Sequence, residues 1–323
     1  MAELASLSIT GSFTIGNTEN TSSVGNIWYD TSTNQIKYSY EGRGAGAWST
    51  GGALITARRA LAGAGTQNAG LAFGGQAPAT VSCTEEYNGT SWTAGGALII
   101  NRQNLAGAGT QNAGLAFGGT SSTYSPRPFT EEYDGSSWSL GGNLINSRGY
   151  LAGAGEQNAG LAFGGFPGGV CTEEYNGTSW SSGGALINSL FDLAGAGTQN
   201  AGLAFGGNYP YGSGVACTEE YNGTSWSAGN ALITARYCPG GAGTQNAGLA
   251  FGGYNSYPNT AGSCTEEYNG TSWTAGGSLI TARRGLAGAG TQDAGLAFGG
   301  STPSDVSCTE EYTAGVAINI CTL

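Results

Sequence analysis

Six times in succession the chain repeats a stretch whose first copy is Leu61-Ala-Gly-Ala-Gly-Thr-Gln-Asn-Ala-Gly-Leu-Ala-Phe-Gly-Gly75. Its two halves are rich in small residues and are joined by Thr66-Gln67-Asn68, which is typical of a tight turn between two strands. The copies follow one another every 42 to 47 residues, with their phenylalanines at Phe73, Phe117, Phe163, Phe205, Phe251 and Phe298. A period of this length indicates an array of similar structural units.

Outside this stretch, each unit carries the same aromatic and charged residues in the same order. A variable segment leads into Thr-Glu-Glu-Tyr, whose tyrosines are Tyr87, Tyr133, Tyr175, Tyr221, Tyr268 and Tyr312. Five residues after the first five of them comes a tryptophan, at Trp92, Trp138, Trp180, Trp226 and Trp273. Ten residues further on, most units have an arginine, at Arg102, Arg148, Arg236 and Arg283, whereas Leu190 takes that position in one unit. We expect these tyrosines and tryptophans to be structural residues.

The pattern predicts four short strands in each unit. In the first unit they are residues 61–65, 69–75, 83–87 and a fourth strand beginning at Trp92. Four strands in about 45 residues form one blade of a β-propeller. The first strand is almost entirely Gly and Ala, and small side chains suit the axis on which blades converge. The sequence therefore predicts an all-β fold, a six-bladed propeller.

The ends of the repeated region predict how the ring closes. The last unit has Tyr312 but no tryptophan five residues later, whereas Trp48, followed by Arg58, precedes the first unit. Six tyrosines and six tryptophans pair if the strand at Trp48 completes the last blade, which also removes an open sheet edge. This argument assigns residues 46–323 to the propeller and residues 1–45 to a small N-terminal segment.

The order of these residues resembles the kelch repeat, with a strand ending in Gly-Gly, a tyrosine, a short turn, a tryptophan and an arginine over residues 48–323. This resemblance implies an interaction module, because kelch propellers are mostly of that kind. The enzymatic branch, similar to galactose oxidase, uses a copper site with two histidines, and this chain has no histidine. Sialidase propellers carry an Asp-box; Gly89-Thr-Ser-Trp92 matches its end, but Tyr87 stands where the aspartate should be.

Composition narrows the function further. The absence of histidine removes the commonest general base, nucleophile partner and metal ligand, so we expect no enzymatic activity. A net charge of −11 with ten basic residues gives no basic surface for nucleic acid or an anionic membrane. No apolar run is long enough to span a membrane, and residues 1–10 lack the features of a signal peptide. We expect synthesis in a cytoplasm without membrane insertion.

Glutamate pairs precede the six tyrosines and supply twelve of the 21 acidic residues. Neighbours on a strand point to opposite faces, so such a pair does not make a catalytic dyad. We expect one glutamate of each pair to bind the arginine of the repeat and backbone donors near a blade interface. Calcium binding is the alternative, and no other cofactor is expected. One cysteine position of the repeat predicts small buried side chains without disulfides, at Cys83, Cys171, Cys217, Cys264 and Cys308.

The segments between the second and third strands differ in length and sequence, at residues 76–82, 120–129, 166–170, 208–216, 254–263 and 301–307. All six should open on one face of the propeller, opposite the Thr-Gln-Asn and Asn-Gly turns. They contain residue types that are common in recognition sites, and the candidate ligand-binding residues are Tyr124, Arg127, Phe166, Tyr209, Tyr211, Tyr254 and Tyr257. Tolerant loops without a ligand are the alternative.

The N-terminal segment has a pattern of its own. Residues 25–30 and 35–40 predict a β-hairpin joined by residues 31–34. With Gly25, Trp28, Tyr29, Asn34 and Lys37, it resembles a hairpin near the start of tail and other structural proteins of bacteriophages, marine ones especially. The segment is too short for a core of its own and carries many apolar residues, so we expect residues 1–45 to attach the propeller to other virion proteins.

These observations predict a phage virion protein without enzymatic activity, such as a tail fibre, spike or appendage. Its propeller would attach the particle to a glycan or protein of the host surface, and the chain would form homo-oligomers within the assembly. Three alternatives remain: a structural head or tail decoration protein without receptor binding, a bacterial surface adhesin, and a lyase or hydrolase acting on polysaccharide.

Overall fold

A computed structural model describes residues 27–30, 32–209, 213–255 and 260–322. These residues form strands, bridges and turns but no helix, so the predicted all-β class is confirmed. Nothing in this part of the chain provides a helix that could cross a membrane.

The architecture is a six-bladed propeller of four-stranded antiparallel blades, numbered 1 to 6 along the chain. The innermost strands are Ala62–Thr66, Ala106–Thr110, Ala152–Glu156, Ala194–Thr198, Gly240–Thr244 and Ala287–Gly290. The second strands are Ala69–Phe73, Ala113–Phe117, Ala159–Phe163, Ala201–Phe205, Ala247–Phe251 and Ala294–Phe298. The third strands are Thr84–Tyr87, Thr130–Tyr133, Thr172–Tyr175, Thr218–Tyr221, Thr265–Tyr268 and Thr309–Thr322. The fourth strands are Trp92–Ala94, Trp138–Leu140, Trp180–Ser182, Trp226–Ala228, Trp273–Ala275 and, for blade 6, Gln35–Thr50.

Short two-stranded antiparallel ladders occur in or beside three of the variable segments. They pair Gln76–Ala77 with Ala79–Thr80, Arg236–Tyr237 with Tyr254–Asn255, and Ser301–Thr302 with Ser304–Asp305. Backbone hydrogen bonds thus fix the paired residues of these segments.

The ring closes as the pairing of aromatic residues predicts. The innermost strands pack side by side in sequence, and that of blade 6 lies beside that of blade 1. In blade 6 the strand carrying Trp48 lies beside the strand carrying Tyr312, and the two rings are 5.0 Å apart. The space at the axis is tight: a β-carbon on Gly63 would lie 2.5 Å from the ring of Phe298 and 2.9 Å from the carbonyl oxygen of Gly288. Glycine in the innermost strands is therefore a packing requirement.

Neighbouring blades share apolar cores built from the repeated aromatic residues. Between blades 1 and 2, the buried ring of Phe73 lies 5.0 Å from that of Trp138. The indole nitrogen of Trp138 donates a hydrogen bond of 2.9 Å to the hydroxyl of Thr84, so its polar atom is satisfied inside the core. Burying each such ring stabilises the fold by about 2 kcal/mol or more.

The first glutamate of most pairs forms a buried ion pair, as expected. In blade 2 the carboxylate of Glu131 accepts hydrogen bonds of 2.6 Å from the guanidinium of Arg102 and from the backbone N–H of Ile99. Both side chains are inaccessible to solvent. Burial lowers the pKa of Arg102, and the charge of Glu131 opposes that effect. The same pairing occurs in five blades, as Arg58–Glu85, Arg102–Glu131, Arg148–Glu173, Arg236–Glu266 and Arg283–Glu310.

The second glutamate of each pair has a partner that the sequence did not indicate. The hydroxyl of Tyr133 in blade 2 donates a hydrogen bond of 2.5 Å to Glu86 in blade 1. Burial, followed by this bond, raises the pKa of Tyr133 to about 12, so the phenol remains a donor. The pattern links every blade to the next, through Tyr87–Glu311, Tyr133–Glu86, Tyr175–Glu132, Tyr221–Glu174, Tyr268–Glu220 and Tyr312–Glu267.

Blade 4 is built differently, because Leu190 replaces the arginine and joins the apolar core. Its glutamate, Glu219, is 1% exposed. The carboxylate accepts the backbone N–H groups of Ile187 and Asn188, at 2.8 and 3.0 Å, and the side-chain amide of Asn188 at 3.0 Å. Asn188 therefore supplies the third donor that an arginine supplies elsewhere.

The prediction that the repeated cysteines are buried is wrong. Cys83, Cys171, Cys217, Cys264 and Cys308 are all half-buried and free of disulfides. They precede the third strand, where the chain comes out of a variable segment at the surface. In blade 1 the carbonyl oxygen of Cys83 accepts the N–H of Gly74, so the position lies beside the end of the second strand.

The chain separates into two compact units, residues 46–314 and a smaller unit of residues 1–45 with Gly315–Leu323. In the smaller unit Ile27–Asp30 pairs antiparallel with Gln35–Tyr38 at the start of the next strand, with Asp30 opposite Gln35. The predicted hairpin is thus confirmed for these residues. Leu4, Leu7, Ile9, Phe13 and Ile15, which contribute to the predicted anchor, lie outside the described residues.

Candidate functional site

The two faces of the propeller differ in sequence. In blade 1 the antiparallel order brings the variable segment 76–82 to one end of the blade, and the turns at Gln67 and Gly89 to the other. The same holds in the other blades, so we call these the variable face and the turn face. The connections between blades also reach the innermost strands at the variable face, as at Arg59 and Ala60 before Ala62.

A closed ring of backbone hydrogen bonds surrounds the axis at the variable face. Six residues, one from each blade and each just before an innermost strand, donate an N–H to the carbonyl of the equivalent residue in the preceding blade, over 2.7 to 3.1 Å. We call them the axial ring: Ala60, Asn104, Tyr150, Asp192, Cys238 and Gly285. The ring holds all six connections in one conformation.

All six axial-ring residues have a left-handed backbone. The φ angles lie between 51° for Cys238 and 60° for Gly285. Such a conformation costs a residue with a β-carbon about 1 kcal/mol, whereas glycine adopts it freely. Gly285 shows that glycine satisfies the ring, so the side chains of Tyr150, Asp192 and Cys238 are present despite a backbone cost. Strained positions of this kind often mark functional sites.

A pocket of about 310 Å³ opens at the centre of this ring. Its wall combines side chains of the axial ring with the residues beside them, such as Arg59, Tyr237 and Arg284, and with Gln76 and Tyr124 from two variable segments. Below it, the Ala and Gly residues of the six innermost strands line the axial channel. The volume is at the small end of the range for ligand pockets, about 300 to 1,000 Å³.

Asp192 is the acidic group of the pocket wall. Burial raises the pKa of its carboxyl group to about 6, although a hydrogen bond with Cys238 and the charge of Arg284 act in the opposite direction. Burial and the neighbouring Asp192 raise the pKa of the Cys238 thiol well above its ordinary value, so this thiol stays protonated. Burial and Asp192 also raise the pKa of Tyr150 to about 12. The pocket thus holds one titratable carboxyl group beside a neutral thiol, a neutral phenol and the charge of Arg284.

The two arginines of the pocket wall are held in different ways. Arg59 pairs with Asp305 at 2.5 Å, and its side chain is 39% exposed. The guanidinium of Arg284 lies 4.5 Å from the ring centre of Tyr254, and this ring lies 5.1 Å from that of Tyr237. Among the described residues, Arg284 has no carboxylate within ion-pair distance. Its charge is therefore positioned by an aromatic ring and faces the pocket.

Two of the predicted ligand-binding residues lie at or beside this pocket. Tyr124 belongs to its wall and is 56% exposed. Tyr254 is half-buried, and its ring stacks against the guanidinium of Arg284. Both remain candidates for contact with a ligand.

The other candidates are placed apart from the pocket wall. Phe166 is 57% exposed and lies edge-on to Phe191 at 6.2 Å. Tyr209 is half-buried, packs on the core beside blade 4, and donates a hydrogen bond of 2.9 Å to Asn188, which gives it a structural contact. Arg127 is half-buried, and its backbone N–H is bound to Gly119. Tyr211 and Tyr257 lie outside the described residues.

Sequence reasoning did not identify the axial ring. Its signal was present, because the two residues before each innermost strand change in every unit while the strand itself hardly changes. These pairs are Arg59-Ala60, Gln103-Asn104, Gly149-Tyr150, Phe191-Asp192, Tyr237-Cys238 and Arg284-Gly285. A dipeptide has no periodicity of its own, so its convergence at the axis becomes visible only in the closed ring.

The described residues contain no group of three or more His, Cys, Asp or Glu side chains placed to hold a metal ion. The carboxylates of the paired glutamates are hydrogen-bonded within the protein instead. The first glutamate of each pair accepts backbone N–H groups and, in five blades, an arginine, as in Arg102–Glu131. The second glutamate accepts the hydroxyl of the tyrosine in the next blade, as in Tyr133–Glu86. The site therefore offers hydrogen bonds, one carboxyl group, arginine charge and aromatic rings.

No protein-family model matches the sequence, and no curated protein is significantly similar to it. The chain is therefore described by its fold, a six-bladed propeller of the kind that serves binding or structural roles.

Proposed function

We propose that this protein is a non-enzymatic virion protein of a bacteriophage, which displays the variable face of its kelch-like propeller for attachment to a host surface. One observation carries the proposal. The six units are nearly identical in their four strands and in the aromatic contacts and buried ion pairs of those strands, which we call the frame. Their differences are concentrated on a single face, in the variable segments and the axial ring. A surface that varies on an unchanging frame is typical of recognition.

The N-terminal segment supports the assembly part of the proposal. The hairpin around Trp28 and Lys37 resembles one in phage tail and structural proteins, and residues 1–45 would attach the propeller to other virion proteins in a homo-oligomeric appendage. In this proposal the chain is synthesised in the host cytoplasm and acts on the particle.

The chemistry of the pocket supports a binding role. A cysteine nucleophile needs a lowered pKa, whereas the pKa of Cys238 is raised by burial and by Asp192. Among the described residues, the pocket wall carries the single carboxyl group of Asp192, whereas glycoside hydrolysis uses a pair of carboxyl groups. With no histidine in the sequence, the remaining groups suit recognition.

The test combines localisation with binding. Proteomics of purified particles should find the chain, and the purified protein should bind host cells. Replacing Tyr124 and Phe166 together by Ala should weaken cell binding, whereas Leu140→Ala, an equally exposed apolar residue on a fourth strand, should not. Absence from particles, or equal loss in the control, would contradict the proposal.

A structural decoration protein without receptor binding is the second candidate. Six isoleucines at equivalent positions, one beside each blade, are 54 to 62% exposed: Ile55, Ile99, Ile145, Ile187, Ile233 and Ile280. Neighbouring subunits in a lattice could cover them. Locating the chain in assembled heads or tails, together with unchanged host adsorption when it is removed, would favour this candidate.

A further inference from the structure

We propose that the axial pocket binds one sugar residue of an acidic saccharide, whose anionic group pairs with Arg284. The inference deepens the proposed function and rests on it, because it names the ligand class and the subsite on the variable face. It is argued from the placement of charge, the side chains of the axial ring and the composition of the pocket wall.

The basic residues are unevenly distributed over the propeller. Of ten Lys and Arg residues, five are buried in the frame of the blades, and Lys37 and Arg43 belong to the smaller unit. The other three, Arg59, Arg127 and Arg284, are all at the variable face. The turn face instead carries acidic residues: Asp134, Glu156 and Asp293. The variable face also carries Asp192 and Asp305, and Asp305 is paired with Arg59. In a chain of net charge −11, Arg127 and Arg284 are therefore the basic residues of this face that are left for an anionic ligand.

Arg284 is positioned for such a ligand. Its guanidinium is stacked at 4.5 Å on Tyr254 and, among the described residues, has no carboxylate within ion-pair distance, although the charge of Asp192 lies near enough to interact with it. Stacking reduces the freedom of the side chain and leaves the N–H donors at its edge available. A carboxylate or a sulfate accepts two parallel hydrogen bonds from these donors.

The rest of the pocket wall suits a sugar. Tyr124, Tyr150 and Tyr237 supply aromatic surface. The amides of Asn104 and Gln76 each use one N–H on the protein, on Thr120 and on the carbonyl of Pro78, which leaves one N–H and the carbonyl oxygen of each amide for a ligand. Adjacent sugar hydroxyls pair with such amides, while the C–H face of the ring packs on an aromatic side chain. Tyr150 and Asn104 keep left-handed backbones that glycine would adopt without cost, and we therefore assign their side chains a role in the pocket.

Asp192 gives the binding a pH dependence of known sign. Tyr150, Tyr237, Cys238 and Arg284 face it. Because its pKa is raised to about 6, its carboxyl group is increasingly charged above that pH and would repel an anionic ligand. Lowering the pH from about 7.5 to about 5 neutralises Asp192, while a uronate or sulfate stays charged, so affinity should rise.

The experiment uses calorimetric titration of the full chain with three probes of equal linkage: a hexuronic acid trisaccharide, a sulfated hexose trisaccharide and the neutral hexose trisaccharide. We expect one or both acidic probes to bind better than the neutral one. Arg284→Gln should weaken that binding by at least about tenfold, and Arg284→Lys should weaken it less. Arg127→Gln makes the same charge change on the same face but outside the pocket wall, so it should weaken binding much less than Arg284→Gln does. The two acidic probes distinguish a carboxylate from a sulfate ligand.

Binding of neither acidic probe, equal binding of all three, or acidic binding that survives Arg284→Gln would overturn the inference. Melting temperatures of the variants control for misfolding, and Arg284 is exposed, so its replacement should leave the fold intact. The proposed function is tested independently of the pocket. If host cells are bound through Tyr124 and Phe166 while no acidic saccharide binds, only the inference about the pocket is wrong.

Discussion

The frame of the blades repeats its contacts from unit to unit, whereas the axial ring has a different side chain in each unit. In the frame, Arg102–Glu131 and Tyr133–Glu86 recur with little change around the ring, and their polar atoms are buried and paired. In the axial ring, six equivalent backbones carry six different side chains, from Gly285 to Tyr150. The comparison shows that closure needs identical contacts at the frame and only identical backbone bonds at the axis. The side chains at the axis are therefore free to serve a ligand.

The largest effect should come from removing a frame arginine. Arg102→Leu copies the residue of blade 4 but leaves Glu131 buried without its cation. We expect a loss of about 3 to 5 kcal/mol in the free energy of unfolding, measured by denaturant titration. Arg59→Leu is the matched control, because its pair with Asp305 is partly exposed, and it should cost less than about 1 kcal/mol. Equal losses in the two variants would contradict the special role of the buried pair.

A smaller loss of stability is expected when an asparagine is removed from blade 4, and it should exceed the loss at the equivalent position of blade 3. Asn188→Ala removes a donor from Glu219, which lacks an arginine, and should cost about 1.5 to 3 kcal/mol in the free energy of unfolding. Asn146→Ala removes only a long contact of 3.5 Å to Glu173, whose charge is met by Arg148, and should change stability by less than about 0.5 kcal/mol. If the two substitutions cost the same, Asn188 does not replace the missing arginine.

The smallest effect should come from exchanging side chains within the axial ring. Tyr150→Gly relieves a left-handed backbone, and Gly285→Asn adds a side chain where no atom lies within 3.7 Å of the new β-carbon. Each should change the free energy of unfolding by no more than about 1 kcal/mol. Gly65→Ala in the frame is the contrast, because its β-carbon would lie 2.1 Å from the carbonyl oxygen of Ala69, so this variant should melt far lower. A large loss from Tyr150→Gly would mean that its side chain supports the fold.

Much of the fold could be predicted because the repeat makes each local pattern visible six times. The blades, the closure through Trp48 and Tyr312, and the pairing of the first glutamate with arginine all follow from residue order and phase. The bond from Tyr133 to Glu86 could not be predicted, because it joins two blades and depends on their spacing. The half-buried state of Cys83 was missed since periodicity does not show how far a side chain at the end of a strand is covered.

The candidate site was harder to predict than the fold. Length variation pointed to the correct face and to Tyr124, but the ring at the axis depends on six short connections that lie far apart in the chain. Asp192 and Arg284 are ordinary surface residues in the sequence, and their proximity is created by closure of the ring.

That closure also sets the order of events during synthesis. The strand with Trp48 leaves the ribosome before any complete blade, and its partner strand, Thr309–Thr322, is translated about 260 residues later. Until then blade 1 cannot bury Trp92 against Phe298, and the hydroxyl of Tyr87 lacks Glu311. The part of the nascent chain that is synthesised first therefore keeps exposed aromatic residues during most of translation. The last step, a contact between the two ends of the ring, is the one of highest sequence separation and should limit the rate of folding.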